Sequence, residues 1–349
     1  MNSVRTVFFG STSDSIIVLS KLYAHSAQLR IEIVALVTQP PRPIGRKQKI
    51  TPTPVELWGN EHHVPVLSFA SDEKKSWLYQ NETTVIDTLQ PLKADLLISA
   101  CYGQKIPTAT ITAAKFGGLN VHPSILPRWR GADPVPWAIY SGDHQTGVTV
   151  VTLSEQFDEG RIIAQQKIPL MDTAESDPLR TKLFSLGADL LFATIPEYLA
   201  SQGHPLQILS GHSKQKSSDK LPYARRLTRD DGFEPWENIQ SAMSENCQPD
   251  EAKRIERKFR AFSPWPGLWT KINIPINKYT NKQMANGNEE EKRLKILKLS
   301  IIPSEKPARP AGGIGTGNSQ LSIHEVQLEG KTPVPFSQFT KSYLSDQRN

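Results

Sequence analysis

The chain of 349 residues lacks the cysteine and histidine patterns from which disulfide frameworks and metal sites are built. Its two cysteines, Cys101 and Cys247, lie far apart in the sequence and cannot form a disulfide framework, which fits a reducing compartment. There is no Cys-x-x-Cys pair and no pair of histidines at helical spacing. We therefore expect no metal site.

Long apolar runs are also absent. No stretch of about 18 or more apolar residues occurs, so a membrane span is not expected. The apolar run at residues 4–9 is typical of a core strand and not of a signal or transit peptide. Nothing in the pattern indicates a self-complementary apolar face. We expect a cytoplasmic monomer that does not contact a membrane.

The net charge of +6 is unevenly distributed along the chain. From Tyr223 to the end there are 20 basic and 15 acidic residues, whereas the part before Tyr223 has 21 basic and 20 acidic residues. A module that contacts a polyanion carries such an excess, and so does an ordinary solvated basic surface. Charge alone leaves both interpretations open.

The first 200 residues alternate apolar, strand-like runs with segments of helical pattern. Several of the helical segments begin with Ser, Thr, Asp or Pro, which cap or pre-organise a first turn. This alternation predicts an α/β fold with a Rossmann-like, mostly parallel sheet covered by helices on both faces. The predicted strands span residues 4–9, 31–37, 94–100, 118–122, 148–153 and 162–168, and the predicted helices span 13–24, 54–63, 83–89, 134–140 and 177–200.

The pattern changes after residues 210–219, which are polar and poor in apolar side chains. We place a linker at 209–222, between a first domain at 1–208 and a second domain at 223–349. A helix is predicted at about 250–262, and the short strand-like runs that follow predict a small, OB-like β-barrel. These runs span 268–274, 294–301, 314–315 and 321–328, and the polar stretch 281–291 is predicted to be an exposed hairpin loop.

Two polar residues stand where a predicted strand ends. Asn120 and His122 are two positions apart, so both side chains leave the same face of the strand, and two prolines then take the chain out of regular structure. Asp158 lies in a turn-like sequence between two later strands, where a loop could return a carboxylate to His122. Ligands of such sheets sit beyond the carboxyl ends of the strands. The alternative is a satisfied core histidine and an ordinary turn aspartate.

The segment 119–131, Leu-Asn-Val-His-Pro-Ser-Ile-Leu-Pro-Arg-Trp-Arg-Gly, resembles the folate-dependent formyltransferase family, and within it the enzymes that act on methionyl-tRNA. That family has an Asn-x-His pair, a Ser-Leu-Leu-Pro-like turn and a catalytic Asp a few dozen residues later, which match Asn120, His122 and Asp158. The segments 7–11, 45–55 and 260–267 extend the resemblance nearly end to end.

The resemblance implies transfer of the formyl group of 10-formyltetrahydrofolate to the α-amino group of methionyl initiator tRNA, without a metal. Asn120 and His122 would stabilise the negative charge on the formyl oxygen, and Asp158 would orient His122 and help to receive the proton of the amine. No covalent enzyme intermediate is needed, so we do not expect Cys101 to be a nucleophile.

Three alternatives remain. A formyltransferase that acts on a small amine, glycinamide ribonucleotide or an amino sugar, would share the same three residues. A folate- or tRNA-binding protein without turnover would not need them. A Rossmann dehydrogenase fits less well, since the turn after the first strand lacks the dinucleotide glycine pattern.

The resemblance also implies where the substrates bind. The turn Ser124, Ile125, Leu126, Pro127 would flank the reduced folate, and Ala100, Tyr102 and Gly103 would line the pterin pocket; simple strand termination is the alternative for the latter. For the initiator methionyl-tRNA, the candidates are the acid-free loop 40–52, with Arg42, Arg46, Lys47 and Lys49, and the pair Arg128 and Arg130 beside Trp129. Alternatively, Trp129 is a core residue and both arginines pair with carboxylates. The domain at 223–349 would bind the rest of the tRNA.

Overall fold

The computed structural model describes residues 3–45, 47–201, 221–245, 247–248, 250–275, 289–303 and 319–344. It divides into two compact units, of which the first comprises residues 1–138, 143–171 and 177–226 and the second comprises 139–142, 172–176 and 227–349. Of the predicted linker at 209–222, only Leu221 and Pro222 are among the described residues.

The first unit is built on eleven described strands and the helices between them. The strands are β1 (Val4–Phe9), β2 (Ile31–Thr38), β3 (Arg42–Ile44), β4 (Lys49–Thr51), β5 (Val66–Ser68), β6 (Leu96–Ala100), β7 (Gly118–His122), β8 (Arg130–Gly131), β9 (Gln145–Thr152), β10 (Ile162–Pro169) and β11 (Tyr223–Ala224). The helices are α1 (Ser13–Ala24), α2 (Ser26–Leu29), α3 (Pro54–Glu61), α4 (Glu82–Leu89), α5 (Thr108–Ala113), α6 (Pro134–Ser141) and α7 (Ser176–Ala200). The last three residues of α6 and the first residue of α7 belong to the second unit.

Seven of these strands form one sheet in the order β10-β9-β7-β6-β1-β2-β5. The five strands from β7 to β5 in this order are parallel. Beyond β7, strand β9 pairs antiparallel with β7, and the edge strand β10 pairs antiparallel with β9. Strand β6 is buried along its whole length, as expected for a parallel strand covered on both faces. The chain leaves β1 toward β2 on one side and later adds β6 on the other side. The strand order therefore reverses at β1, and a ligand crevice is expected beside its carboxyl end.

Two predicted helices, α1 and α3, begin with side-chain caps. Thr12 accepts a hydrogen bond from Ser15 N–H in a capping box at α1, and Thr53 caps α3 immediately before Pro54. Among the described residues, one helix, α7, is long and apolar enough to cross a membrane by length and composition. Its residues Phe184 and Ile195 are fully buried in the main core, so the helix packs as a core helix of this unit.

The second unit has an antiparallel sheet in the order β12-β13-β14-β15. Its elements are α8 (Trp236–Met243), α9 (Glu251–Phe262), β12 (Leu268–Pro275), β13 (Glu289–Pro303), β14 (Ser319–Leu328), β15 (Val334–Pro335) and α10 (Phe336–Tyr343). Ile239 and Ile255 from the helices pack with Leu268, Leu294 and Val326 from the sheet. The α/β class with a separate antiparallel C-terminal domain is thus confirmed.

Part of the predicted C-terminal pattern lies outside the described residues, namely the strand-like run 314–315 and residues 281–288 of the polar loop. Residues 289–291 of that loop begin β13. In the described part of this unit, β12 and β15 do not pair with each other, so closure of the sheet into a barrel remains a prediction.

The basic residues of α9 are mostly paired within the second unit. Arg254 and Lys258 pair with the buried Glu234, and Arg260 pairs with Glu256 at 2.5 Å. Much of the positive charge of this helix therefore contributes to packing in its own unit and is already compensated.

Candidate active site

The structure brings Asn120, His122 and Asp158 together at the carboxyl end of β7. The Asn120 side-chain N–H donates to Asp158 Oδ1 at 3.3 Å, and Nδ1 of His122 lies 3.3 Å from the same oxygen. The His122 and Asp158 side chains are only 5% and 9% exposed. Because the three groups meet in a nearly dry environment, their mutual electrostatic effects are stronger than they would be in water.

The backbone around Asp158 holds its carboxylate against β8. Asp158 has a left-handed conformation with φ 58°, which aspartate adopts more readily than most residues. Its second carboxylate oxygen accepts the Gly131 N–H at 2.9 Å. Both oxygens are therefore oriented by the protein before any substrate binds.

His122 has acceptors at both ring nitrogens. The Nε2 atom lies 2.9 Å from the backbone carbonyl oxygen of Trp129, and Nδ1 faces Asp158. A ring with both nitrogens protonated donates to both acceptors. Direct donation from His122 to a substrate oxygen therefore requires one of these contacts to be exchanged.

The arginines beside the site form ion pairs. Arg128 makes two hydrogen bonds to Asp143, at 2.8 and 2.6 Å, and its guanidinium lies 4.5 Å from the ring centre of Trp129. Trp129 is buried and donates its indole N–H to Asp143 at 2.7 Å. Arg130 pairs with Glu159 at 2.8 Å. This is the alternative arrangement that the sequence left open, and the role of both arginines in tRNA binding remains a prediction.

A family model described as formyl transferase matches residues 4–195, and one described as the C-terminal domain of formyl transferase matches residues 249–344. The chain belongs to the formyl transferase family. It is 32% identical over 341 residues to a methionyl-tRNA formyltransferase of Roseiflexus sp. (strain RS-1), and the matched region covers 95% of this chain and 90% of that protein. It is 32% identical over 335 residues to a methionyl-tRNA formyltransferase of Listeria monocytogenes serotype 4a (strain HCC23), with 95% and 89% covered.

Among solved structures, HypX from Aquifex aeolicus in complex with tetrahydrofolic acid matches with a TM-score of 0.52. It is 16% identical, and the match covers 98% of this chain and 47% of that chain. At this identity the likeness shows a shared fold. The family that the sequence resembles is thus confirmed by the family models and the full-length relatives.

Hydrogen bonds from buried groups hold the predicted folate turn of this formyltransferase in place. The Ser124 side chain is buried, and its hydroxyl donates to the Arg128 carbonyl, just after the turn, at 2.8 Å. The Leu126 N–H donates to the hydroxyl of Thr149 at 3.2 Å, and Thr149 donates to the Ser124 carbonyl at 2.6 Å. Ile125 and Pro127 are partly exposed. The turn is held in shape by β9, and its two partly exposed side chains are the ones that a ligand can reach.

The predicted pterin-lining residues follow β6. Ala100 is fully buried, and its carbonyl accepts a hydrogen bond from the Ser15 hydroxyl at 2.7 Å. Tyr102 is buried and accepts a hydrogen bond from the Tyr79 hydroxyl at 2.9 Å. Gly103 has a φ of +85°, and a Cβ built on it would lie 2.8 Å from the Gln39 side chain. These residues form a rigid loop at the end of β6, beside the point where the strand order reverses.

Cys101 lies in the same loop, with a left-handed φ of 50°. Burial and the negative charge of Asp14 raise the pKa of its thiol to about 12. The thiol is therefore protonated at neutral pH, whereas a nucleophilic cysteine needs a lowered pKa. This agrees with a formyltransferase that needs no covalent intermediate on the enzyme.

The predicted basic loop contains a hairpin, in which β3 and β4 pair antiparallel. Arg42, Lys47 and Lys49 are all exposed on it, and Ile44 and Ile50 are 59% and 62% exposed. Arg46 lies outside the described residues. The sequence predicted an irregular loop here because three-residue strands carry too little periodicity to be recognised.

Several residues around the site escaped the sequence analysis. Asp143 and Thr149 had no motif around them, and their roles arise from contacts across the fold. The short strand β11 pairs in parallel with β8, next to Asp158, although it is far from β8 in the sequence. Thr149 lies inside β9 and Asp143 just before it, so a search for polar residues in and around that strand would have found both. Nothing in the sequence indicates the pairing of β11.

Proposed function

We propose that this formyltransferase transfers the formyl group of 10-formyltetrahydrofolate to the α-amino group of methionyl initiator tRNA. The observation that carries the proposal is the cluster of Asn120, His122 and Asp158 at the strand ends. Full-length relatives named methionyl-tRNA formyltransferase support tRNA as the acceptor. In this proposal residues 1–208 are the catalytic domain, 209–222 the linker, and 223–349 an OB-like domain that binds tRNA.

As the amine attacks the formyl carbon, negative charge develops on the formyl oxygen. An amide nitrogen carries two N–H groups, so Asn120 can hold Asp158 with one and donate to the formyl oxygen with the other. A protonated His122 adds positive charge, either through its field or by exchanging its contact with Trp129. A single donor of this kind typically contributes about 10²–10³ in rate.

Asp158 is suited to act on the attacking amine. Asn120, His122 and Gly131 hold its two oxygens at the end of the strand where the amine would attack, and a carboxylate can take up the proton that the amine loses. General acid–base assistance of this kind contributes about 10²–10⁴. Asp158 therefore both orients His122 and assists proton transfer.

The loop after β6 fits a pterin ring. The Gln104 side-chain oxygen is buried and has no donor among the described residues, whereas its amide nitrogen donates to the Ser71 hydroxyl at 3.1 Å. A buried acceptor of this kind suits the N–H groups of a pterin. The reduced folate supplies the formyl group, and Ala100, Tyr102 and Gly103 would line its ring while the turn 124–127 flanks it. No metal is assigned a role, and we propose a cytoplasmic monomer.

The decisive test offers two acceptors to the purified chain in parallel, methionyl initiator tRNA and glycinamide ribonucleotide, with 10-formyltetrahydrofolate as donor. We expect formylation of the tRNA alone. Transfer only to the small amine would keep the catalytic cluster and overturn the proposed acceptor. Absence of transfer to either acceptor, with folate or tRNA still bound, would indicate a binding protein.

The hairpin of β3 and β4 is the proposed phosphate contact. Replacing Arg42 and Lys49 together with alanine should weaken tRNA binding and flatten its dependence on salt. Each lost phosphate contact lowers the slope of log affinity against log salt concentration by roughly 0.7–0.9. The measurement is tRNA affinity at several salt concentrations. Lys167→Ala, which removes an exposed lysine of the edge strand β10, is the matched control, and an unaltered slope in the double variant would count against the hairpin.

A further inference from the structure

The strand β11 lies against the catalytic loop. It pairs in parallel with β8, with Tyr223 opposite Arg130 and Ala224 opposite Gly131. The Asp133 N–H donates to the Ala224 carbonyl at 3.3 Å and extends the contact beyond the two paired residues. The position of β11 is therefore set by backbone hydrogen bonds to the segment that also holds the catalytic carboxylate.

Gly131 contacts Tyr223 on one side and Asp158 on the other. Its φ is +113°, and a Cβ built on it would lie 2.7 Å from Cζ of Tyr223 and 2.5 Å from the Ala224 carbonyl oxygen. The tyrosine ring thus packs directly on the backbone of the residue whose N–H donates to Asp158 at 2.9 Å. Burial and the negative charge of Asp158 raise the pKa of the Tyr223 hydroxyl. Contact and charge place the ring beside the catalytic cluster.

Tyr223 is nevertheless 60% exposed, which is unusual for an aromatic ring next to a buried cluster. The next two side chains that follow Ala224, Arg225 and Arg226, are also exposed and basic. An aromatic surface with neighbouring arginines is the combination that proteins use for single-stranded RNA, with stacking for bases and positive charge for phosphates.

The chemistry of the acceptor determines what can reach this ring. If the acceptor is an aminoacyl-tRNA, the reacting amine belongs to an amino acid esterified to the ribose of the terminal nucleoside. The adenine base is then separated from the amine, which must lie at Asp158, by only the aminoacyl ester and one ribose. A flat surface beside Asp158 is therefore within reach of this base.

We infer that Tyr223 is a positioning residue on which the 3′-terminal adenine of the tRNA stacks while the α-amino group lies at the catalytic cluster. The inference rests on the proposed function and adds a residue to the acceptor site. Stacking the base holds the ribose and its ester, and so adds binding energy that keeps the aminoacyl end of the tRNA at the cluster.

The test compares Tyr223→Ala and Tyr223→Phe with the unaltered enzyme in steady-state formylation of methionyl-tRNA. For the alanine variant we expect the KM for tRNA to rise by about 5- to 100-fold, as for the loss of one stacked base. The kcat should change much less, and the KM for the formyl donor should stay unchanged. The phenylalanine variant should recover most of the loss, because it keeps the ring. Tyr23→Ala, which removes a 40% exposed tyrosine at the end of α1, is the matched control.

Two small acceptor substrates show which chemical group stacks on the Tyr223 ring. The unaltered enzyme should prefer 3′-O-methionyladenosine to methionine methyl ester, and the alanine variant should lose this preference. An equal loss for both acceptors would place the methionyl side chain on the ring, and a raised KM for the formyl donor would place the folate there; either result overturns the inference. An unchanged KM for tRNA would also overturn it. Failure of the unaltered enzyme to formylate tRNA would instead reject the proposed function.

Discussion

Replacing His122 with alanine is expected to lower kcat for formyl transfer by about 10²–10⁴-fold, while the affinity for methionyl initiator tRNA stays nearly unchanged. The reason is its position: the side chain is 5% exposed and contacts Asp158 and the Trp129 carbonyl. A buried ring offers no surface to tRNA phosphates, so its loss should affect the chemical step alone. Single-turnover formylation and equilibrium tRNA binding measure the two effects separately.

The same assay, applied to further variants, tests whether His122 and Asp158 act together in the reaction. Asp158→Asn should cause a comparable loss, because the amide carries no negative charge and has a single acceptor oxygen, so it cannot accept on one side from Asn120 and His122 and on the other from Gly131. The double variant should then be little worse than either single variant, as found for residues that act together. His144→Ala, at an exposed position in the same unit, is the control. Near-normal turnover of the His122 variant would reject the mechanism.

Replacing Glu234 with glutamine is expected to lower the free energy of unfolding of the second unit by about 3–5 kcal/mol. The Glu234 side chain is 3% exposed and accepts from Arg254 at 2.5 and 3.0 Å and from Lys258 at 2.9 Å. When Glu234 loses its negative charge, the positive charge of Lys258, which is 9% exposed, is no longer fully compensated. Hydrogen exchange of peptides from β12 to β14 in the full chain reports the loss, with peptides from the first unit as internal reference.

This prediction also has a defined pH dependence. Burial by itself would raise the pKa of Glu234, but hydrogen bonds from Arg254, Asn238 and Lys258 outweigh it and lower the pKa to about 2. The carboxylate thus stays ionised in the folded chain at pH values where the unfolded chain is protonated. Its stabilisation is complete above about pH 4.5 and is lost as the pH falls toward 2. The stability difference between the two proteins should shrink over the same interval.

Glu291→Gln is the matched control for Glu234. Glu291 pairs with Lys271 at 2.7 Å, but the two side chains are 56% and 51% exposed. An exposed pair contributes about 0–1 kcal/mol, so this variant should be nearly neutral. Equal effects of the two substitutions would show that burial does not determine the contribution of Glu234.

Local patterns predicted the main elements of the first unit closely. The predicted strands 4–9 and 118–122 and the helix 13–24 have the bounds that the structure gives to β1, β7 and α1. Apolar runs and capping residues are local signals, and they need no knowledge of the rest of the fold. The strands β3, β4, β5 and β15 were missed, because they are two or three residues long and depend on a partner strand. The helices α2, α5, α8 and α10 were not predicted either.

The site divides in a similar way. The common face of Asn120 and His122 follows from the alternation of side chains in a strand, and the resemblance to formyltransferases supplied Asp158 as the third member. The ion pairs of Arg128 and Arg130 could not be chosen from the sequence, because Asp143 and Glu159 are distant along the chain. For this reason the sequence alone could not decide whether these arginines bind tRNA or form internal ion pairs.

The sequence by itself determined the fold class and the family, and predicted Asn120, His122 and Asp158 as site residues, because these depend on periodicity and on short motifs. Only the tertiary structure decided which groups meet. It placed acceptors at both nitrogens of His122, gave Arg128 and Arg130 carboxylate partners, and packed Tyr223 on Gly131, whose N–H donates to Asp158. Hydrogen bonds and ion pairs act over a few ångströms, and the residues that come this close are set by how distant segments pack.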